Sequence, residues 1–387
     1  MRIVAVRERT IELSSTTRNA SISFDAMTAS VIAVHTDAST DGRPLVGLAF
    51  DSIGRYGHGG LLRERFIPRL LAADPDDYAD GDGGIDPHRA WAVLMKDEKP
   101  GGHGERSGAV GLIDAALWDL AAKADGKPLW SLLAKRHGDG DASAKIAVYA
   151  SGGHYRAAND VEGLCEDVRR AAGQGHRRFK IKIGGASLAD DIKRIEAVFG
   201  LLGRGMSLAV DGSGTLDRTK TLQYLDTLKP YPLAWIEEPV HPLDFELTRD
   251  IAAQSKIAIA TGENLFSRDD ARNLLRYAGL RKDRDFLQFD ISLSYGIVEY
   301  LRILDDLGQH GWRRERCAPH AGHLLAMNTV AGLGLGLAEV AMDTSSLFGR
   351  LTVGIPVSDG AATLMDAPGA GFERIDGFTE IFGNLLH

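Results

Sequence analysis

Residues 178–184, "RFKIKIG", place Lys180 and Lys182 one residue apart in a run that otherwise reads as a buried strand. Residues i and i+2 of a strand share a face, so both ammonium groups point the same way. Such a face is costly against a core and useful against a site. Further along, polar groups end successive apolar runs. Asp211 ends "LAVD", Glu237 and Glu238 end "AWIEE", Glu263 ends "IATGE", Asp290 ends "LQFD", His320 ends "CAPH" and Glu339 ends "GLAE". From Lys182 onward they recur at steps of roughly 20 to 30 residues, about the length of one βα unit of a parallel barrel. That spacing sets them at one level, the C-terminal end of the strands, where such barrels carry their active sites.

Asp211 alone reads as helix-start chemistry, with Ser213 and Thr215 nearby. Three acids in phase on successive strands repel one another unless a cation sits among them. An all-oxygen set without His or Cys favours magnesium. The expected ligands are Asp211, Glu237 and Glu263, while alternation turns Glu238 away from Glu237. The paired lysines lower the pKa of one or both by mutual repulsion, which suits a general base; the competing reading is a pair of cations neutralising nearby acids. Asp290 and His320 end neighbouring strands, and a carboxylate hydrogen-bonded to one imidazole nitrogen fixes the tautomer and raises the basicity of the other nitrogen. His323 is the alternative imidazole. A base, a metal and an acid in this order suit removal of the proton α to a carboxylate, with metal stabilisation of the enediolate. Return of a proton gives racemisation; protonation of a β-hydroxyl gives dehydration. Both remain open at this point.

The elements that must position these groups follow from pattern. Residues 1–60 read as short strands and turns, followed by helical patterns such as "GAVGLIDAALWDLAAKADG". From about residue 143, short apolar runs alternate with amphipathic stretches. Strands are expected at "KIAVYAS", "RFKIKIG", "SLAVDGS", "LAWIEEP", "IAIATGE", "DFLQFDI", "RCAPHA" and "GLGLAEV". This rhythm predicts a parallel α/β barrel. "GLGLGLAEV" follows no strand–turn–helix unit and reads as small residues at the barrel wall rather than a nucleotide loop.

At 387 residues the chain exceeds one small core, and its 44% hydrophobic and 25% charged residues suit a folded soluble protein. A net charge of −8 argues against a nucleic-acid partner. Cys165 and Cys317 match no zinc or redox spacing. The first residues lack an export signal and no stretch reaches the roughly 20 apolar residues of a membrane span, so a cytoplasmic protein without a membrane partner is expected.

The set "KIK", "VD", "IEEP", "GE", "FD" and "PH" resembles the enolase superfamily and, within it, the mandelate racemase subgroup. "SSTTRNA", "GRYGHGG", "EKPGGHGERS", "LSYG" and "TVAGLGLG" extend the resemblance to its D-tartrate dehydratase type. The resemblance implies a modified (β/α)7β TIM-type barrel over residues 141–354. An α+β capping domain is formed by residues 1–140 with about 355–387. It implies Mg2+ at Asp211, Glu237 and Glu263, Lys182 as base with Lys180 beside the substrate carboxylate, and His320, held by Asp290, as acid. It also implies substrate contacts from Asn19 and Tyr56, Lys99 on a distal carboxylate, and Glu339 supporting the near one. The expected partner is a small hydroxy-acid substrate, and a homo-oligomer is the expected assembly. Ser213 stands where asparagine is usual, His58 where glutamine is expected, and His241 in an unexpected loop, so the loops that choose substrate differ. Another acid-sugar dehydratase or racemase on this scaffold, a Schiff-base aldolase barrel, and an acid-binding barrel without turnover are the competing readings.

Overall fold

The computed structural model describes residues 1–387 except 14, 16, 41, 139–141, 343–346 and 351–354; of 347 and 348 only the backbone is described. The expected domain boundaries at 140/141 and 354/355, and Ser14 and Thr16 of "SSTTRNA", fall at or within these gaps and lie outside the described residues.

Three antiparallel strands open the chain in the order β1 (Ile3–Glu12), β2 (Thr28–Thr40) and β3 (Arg43–Phe50). The helix Arg106–Ala124 lies against them and is buried from Arg106 to Ala122, as an all-round apolar helix must be. Two glycines permit its close packing. A Cβ on Gly47 would stand 2.2 Å from the Ala116 carbonyl oxygen, and one on Gly111 would stand 1.8 Å from the Ser292 carbonyl oxygen. Asp119 accepts the Leu48 N–H at 2.8 Å, and Asp114 accepts the Ile297 N–H at 2.6 Å, at the start of the helix Ile297–Gln309. One helix therefore binds the sheet on one side and the barrel on the other. The hydrophobic core is continuous across this junction, from Val31 and Phe50 through Trp118 to Phe289 and Leu325.

The barrel strands are β4 (Lys145–Gly152), β5 (Arg178–Lys182), β6 (Ser207–Asp211), β7 (Ile236–Glu237), β8 (Ile259–Thr261), β9 (Phe286–Leu287) and β10 (Ala338–Ala341). All pair in parallel, and β10 pairs with β4. Amphipathic helices cover the outside, and Ser187, Asp217, Asp244 and Ser267 cap four of them with side-chain oxygens. The strand expected at "RCAPHA" is reduced to one bridge, Leu287 with Cys317. Pro319 has no N–H to extend a ladder, and Ala321 at φ 107° turns the chain away. The regular ladder is open here, and the segment spans the gap with single bonds: Ala318 N–H to the Leu287 carbonyl at 2.8 Å and Gly336 N–H to the Cys317 carbonyl at 3.0 Å.

The end of the chain divides its contacts. A hairpin of β11 (Val357–Ser358) and β12 (Ala361–Thr363) pairs antiparallel with β4, and beyond it His35 Nε2 meets the Leu385 carbonyl at 2.7 Å in the first sheet. Cys165 and Cys317 are free and buried. Among the described residues no helix is long and apolar enough to cross a membrane.

Candidate active site

Strand register brings the expected groups side by side. Lys182 pairs with Asp211 across β5 and β6, and Asp211 with Glu237 across β6 and β7. Ile181, between the lysines, is buried in the outer apolar layer, so Lys180 and Lys182 both face the barrel interior. Lys182 Nζ donates to Asp211 Oδ2 and Lys180 Nζ to Glu237 Oε1. Lys180 also lies 3.5 Å from Asp211 Oδ2 and 3.2 Å from Glu339 Oε1, with the Tyr149 ring 5.6 Å away.

Asp211, Glu237 and Glu263 each offer an oxygen within 4.8 Å of the others. The remaining lone pairs are held in place. Glu237 Oε2 accepts from Trp235 Nε1 at 3.1 Å and Gln288 Nε2 at 2.7 Å. Asp211 Oδ1 accepts from the Ser213 N–H at 2.8 Å and its Oγ at 3.4 Å, so the serine that replaces the usual asparagine still supports this carboxylate. Glu238 is buried at φ 31°; its Oε2 accepts from Asn264 Nδ2 at 2.7 Å, while Oε1 has no hydrogen-bond partner among the described residues. Carboxylate charge thus exceeds what the two lysines neutralise, and the oxygen-only donor set fits a hard divalent cation.

The electrostatics carry the mark of that excess. Burial, with Asp211, Glu263 and Glu339 outweighing Lys180, pushes Glu237 up to about 8. Burial also opposes ionisation of Glu339, but Lys180 and His320 bring its pKa down to about 2. The lysines correct an expectation. Burial and mutual repulsion would lower their pKa, yet Glu237 and Glu339 raise Lys180 well above the ordinary value, and Asp211 raises Lys182. In this arrangement both are ammonium groups.

His320 Nδ1 lies 2.9 Å from Asp290 Oδ2, and its Nε2 lies 3.9 Å from Glu263 Oε2. Burial alone would lower the His320 pKa, but Glu263 and the Asp290 hydrogen bond raise it to about 10. Asp290 Oδ2 also accepts from Ser52 Oγ. His323 is buried; its Nδ1 accepts the Leu325 N–H at 3.2 Å, and burial lowers it to about 4, so it serves the start of the next helix.

Lys182 and His320 line the same cavity of about 190 Å3, together with Asn19, Arg55, Glu263 and Asn264. An adjoining pocket is lined by Lys182, His320, Ser151, His154 and Glu339. The structure therefore brings together every expected site residue except two. Tyr56 is 58% exposed, and Lys99 is also exposed, with its carbonyl fixed by Arg106 Nη1 at 3.0 Å; neither borders these cavities. Asn19 borders the cavity, but its Oδ1 is occupied by the N–H groups of Ser21 and Ile22 at 2.7 and 2.8 Å. Besides Lys182, a cation that does line the cavity is Arg55, with Nη2 2.9 Å from Asn264 Oδ1 and its guanidinium 4.8 Å from the Phe266 ring centre. Trp235 and Gln288 stand two residues before Glu237 and Asp290, a same-face signal available in the sequence. Ser52, Arg55 and Asn264 come from loops and offer no such period.

A family model described as Enolase C-terminal domain-like matches residues 163–376, which contain every barrel residue just described except those of β4 and His154 just after it. This chain belongs to the enolase superfamily. Among its enolase-superfamily relatives, the L-talarate/galactarate dehydratase of Salmonella typhimurium is 31% identical over 271 residues, 69% of this chain and 65% of the relative. The arabinonate dehydratase of Saccharolobus solfataricus is 26% identical over 274 residues, 69% of this chain and 70% of the relative. The crystal structure of L-talarate dehydratase from Polaromonas sp. JS666, complexed with Mg and L-glucarate, superposes with a TM-score of 0.77 at 26% identity and covers 97% of this chain and 95% of that one.

Proposed function

We propose that this chain is a magnesium-dependent dehydratase of a small hydroxy-acid, an acid sugar or tartrate. The observation that carries the reading is the single register of Lys182, Asp211 and Glu237, with His320 on the same cavity. Asp211, Glu237 and Glu263 would hold the ion. A divalent cation there would supply Lewis acidity toward a substrate carboxylate and would offset the negative charge of Asp211 that keeps Lys182 protonated.

Lys182 Nζ, as the neutral amine once its ammonium proton is released, takes the α-proton. Lys180, fixed among Glu237, Asp211 and Glu339, holds the near carboxylate by charge. The C–O bond at the β-carbon breaks, and His320 Nε2 gives its proton to the departing hydroxyl, which leaves as water. Asp290 accepts from Nδ1–H and stabilises the imidazolium, the form in which the cavity-facing Nε2 also carries a proton to give. The enol product then tautomerises to an α-keto acid; from D-tartrate this is oxaloacetate. Dehydration rather than racemisation is favoured by the dehydratase names of two relatives and of the structural neighbour.

The substrate class follows from Arg55. A second cation on the cavity suits a second carboxylate, since a guanidinium binds carboxylate through paired N–H groups. Lys99, which would have singled out tartrate, is on the surface; D-tartrate therefore stands beside longer dicarboxylic acid sugars.

The test is a screen of D-tartrate and its stereoisomers, galactarate, L-talarate and arabinonate for keto-acid formation with and without Mg2+. The expected result is metal-dependent product from at least one dicarboxylate. Absence of product and of α-proton exchange across the panel would overturn the reading.

A further inference from the structure

Buried groups of the first-sheet loop form a chain that ends on the acid. The loop that follows β3 begins with Asp51 and Ser52, both buried. Ser52 Oγ donates to Asp290 Oδ2, the oxygen that also meets His320 Nδ1 at 2.9 Å. The Ser52 N–H donates to Asp51 Oδ1 at 2.8 Å. Asp51 Oδ2 lies 2.5 Å from His58 Nδ1, and His58 Nε2 lies 3.4 Å from Glu105 Oε2 at the start of the helix Arg106–Ala124. His58 is the residue that departs from the expected glutamine. Its backbone N–H is held by Ser30 Oγ at 2.9 Å, and its ring fills space left by Gly108, where a Cβ would meet Nε2 at 2.3 Å.

The two halves of the reaction are therefore supported differently. Lys180 and Lys182 are fixed by Asp211, Glu237 and Glu339, all on barrel strands. Asp290 is fixed by the turn that follows it, through the Leu293 N–H at 2.9 Å, and by Ser52 from outside the barrel. We propose that His58, Asp51 and Ser52 are positioning residues that orient Asp290 and thereby the His320 acid, so that the elimination step, but not α-proton removal, depends on the seating of residues 51–58. The reaction-level part of this inference rests on the proposed dehydratase reading; the structural part, that Ser52 sets the Asp290–His320 hydrogen bond, does not.

The dyad can be watched without substrate. In protein with 15N-labelled histidine, the His320 Nδ1–H resonance should report its bond to Asp290. Ser52→Ala and His58→Ala should shift or broaden it, and His58→Gln, which keeps an N–H donor for Asp51, should restore most of the wild-type signal. A His320 resonance unmoved by Ser52→Ala overturns the proposal, whether or not any acid is turned over. With a dicarboxylate that the screen identifies, Ser52→Ala and His58→Ala should lower dehydration kcat about 10- to 100-fold, the usual effect of losing a partner that orients an imidazole, with KM little changed. Deuterium uptake at the α-carbon in D2O should fall far less. Equal falls in exchange and elimination would indicate a merely structural role and overturn it. A moved resonance in a protein that dehydrates nothing would retain the positioning claim and reject the dehydratase reading.

Discussion

Lys180 reaches past its neighbouring strand to hydrogen-bond Glu237, two strands away, while Lys182 stays on Asp211. One lysine of the pair is thus committed to the interior charge network. The other is 12% exposed in its side chain and borders the cavity. Their roles differ accordingly. Lys182→Ala should abolish dehydration and α-proton exchange together, while Lys180→Met should raise KM more than it lowers kcat. Steady-state kinetics with parallel deuterium exchange checks both, and near-normal turnover by Lys182→Ala would reject its assignment as base.

Removal of divalent cation should silence the enzyme, with Mg2+ restoring it. Ligand binding to the folded state alone stabilises it by about 2.7 kcal/mol when the ion is at 100 times Kd. Thermal unfolding with and without chelator should show that increase in Tm, and Glu263→Gln should reduce it. A Tm unaffected by chelator and by Mg2+ would argue that the three carboxylates hold no ion.

Arg55 and Lys99 make opposite predictions. A hydrogen bond to a charged group contributes about 1.5–3 kcal/mol, so Arg55→Ala should raise KM for a dicarboxylate roughly 10- to 100-fold and much less for a monocarboxylate. Lys99→Ala, on the surface, should change neither appreciably. The reverse order would return the distal site to Lys99.

His176 gives a pH test away from the site. Burial lowers its pKa to about 4, against 6.5 for the free group. Above pH 6.5 neither folded nor unfolded chain binds a proton there, and the contribution to stability is complete. As pH falls from 6.5 toward 4, the unfolded chain takes up a proton that the folded one refuses. Stability is then lost at up to about 1.4 kcal/mol per pH unit. Denaturant unfolding across this window should show a shallower pH slope for His176→Gln than for the wild type.

Much of the site was legible because strand geometry is local. The i, i+2 rule put Lys180 and Lys182 on one face, and one polar end per βα unit put Asp211, Glu237, Glu263, Asp290 and Glu339 at one level. "RCAPHA" forms a single bridge and not the full strand its apolar content suggests, because Pro319 lacks a donor and the chain turns at Ala321. Without an ion the lysine pKa values move opposite to the pairwise expectation, because pairing along one strand is visible in sequence, whereas Glu237 and Glu339 reach Lys180 from other strands.

What the sequence determined by itself is the candidate inventory: which groups end the barrel strands and which chemistry they suit. Tertiary structure decided how charge is shared among them and what borders the cavity. Arg55 enters and Lys99 does not, and Ser52 and His58 arrive behind Asp290, because loop trajectories depend on packing between distant segments, such as Gly111 against Ser292. Periodicity fixes where a side chain points within its own element; only the contacts between elements fix what it points at.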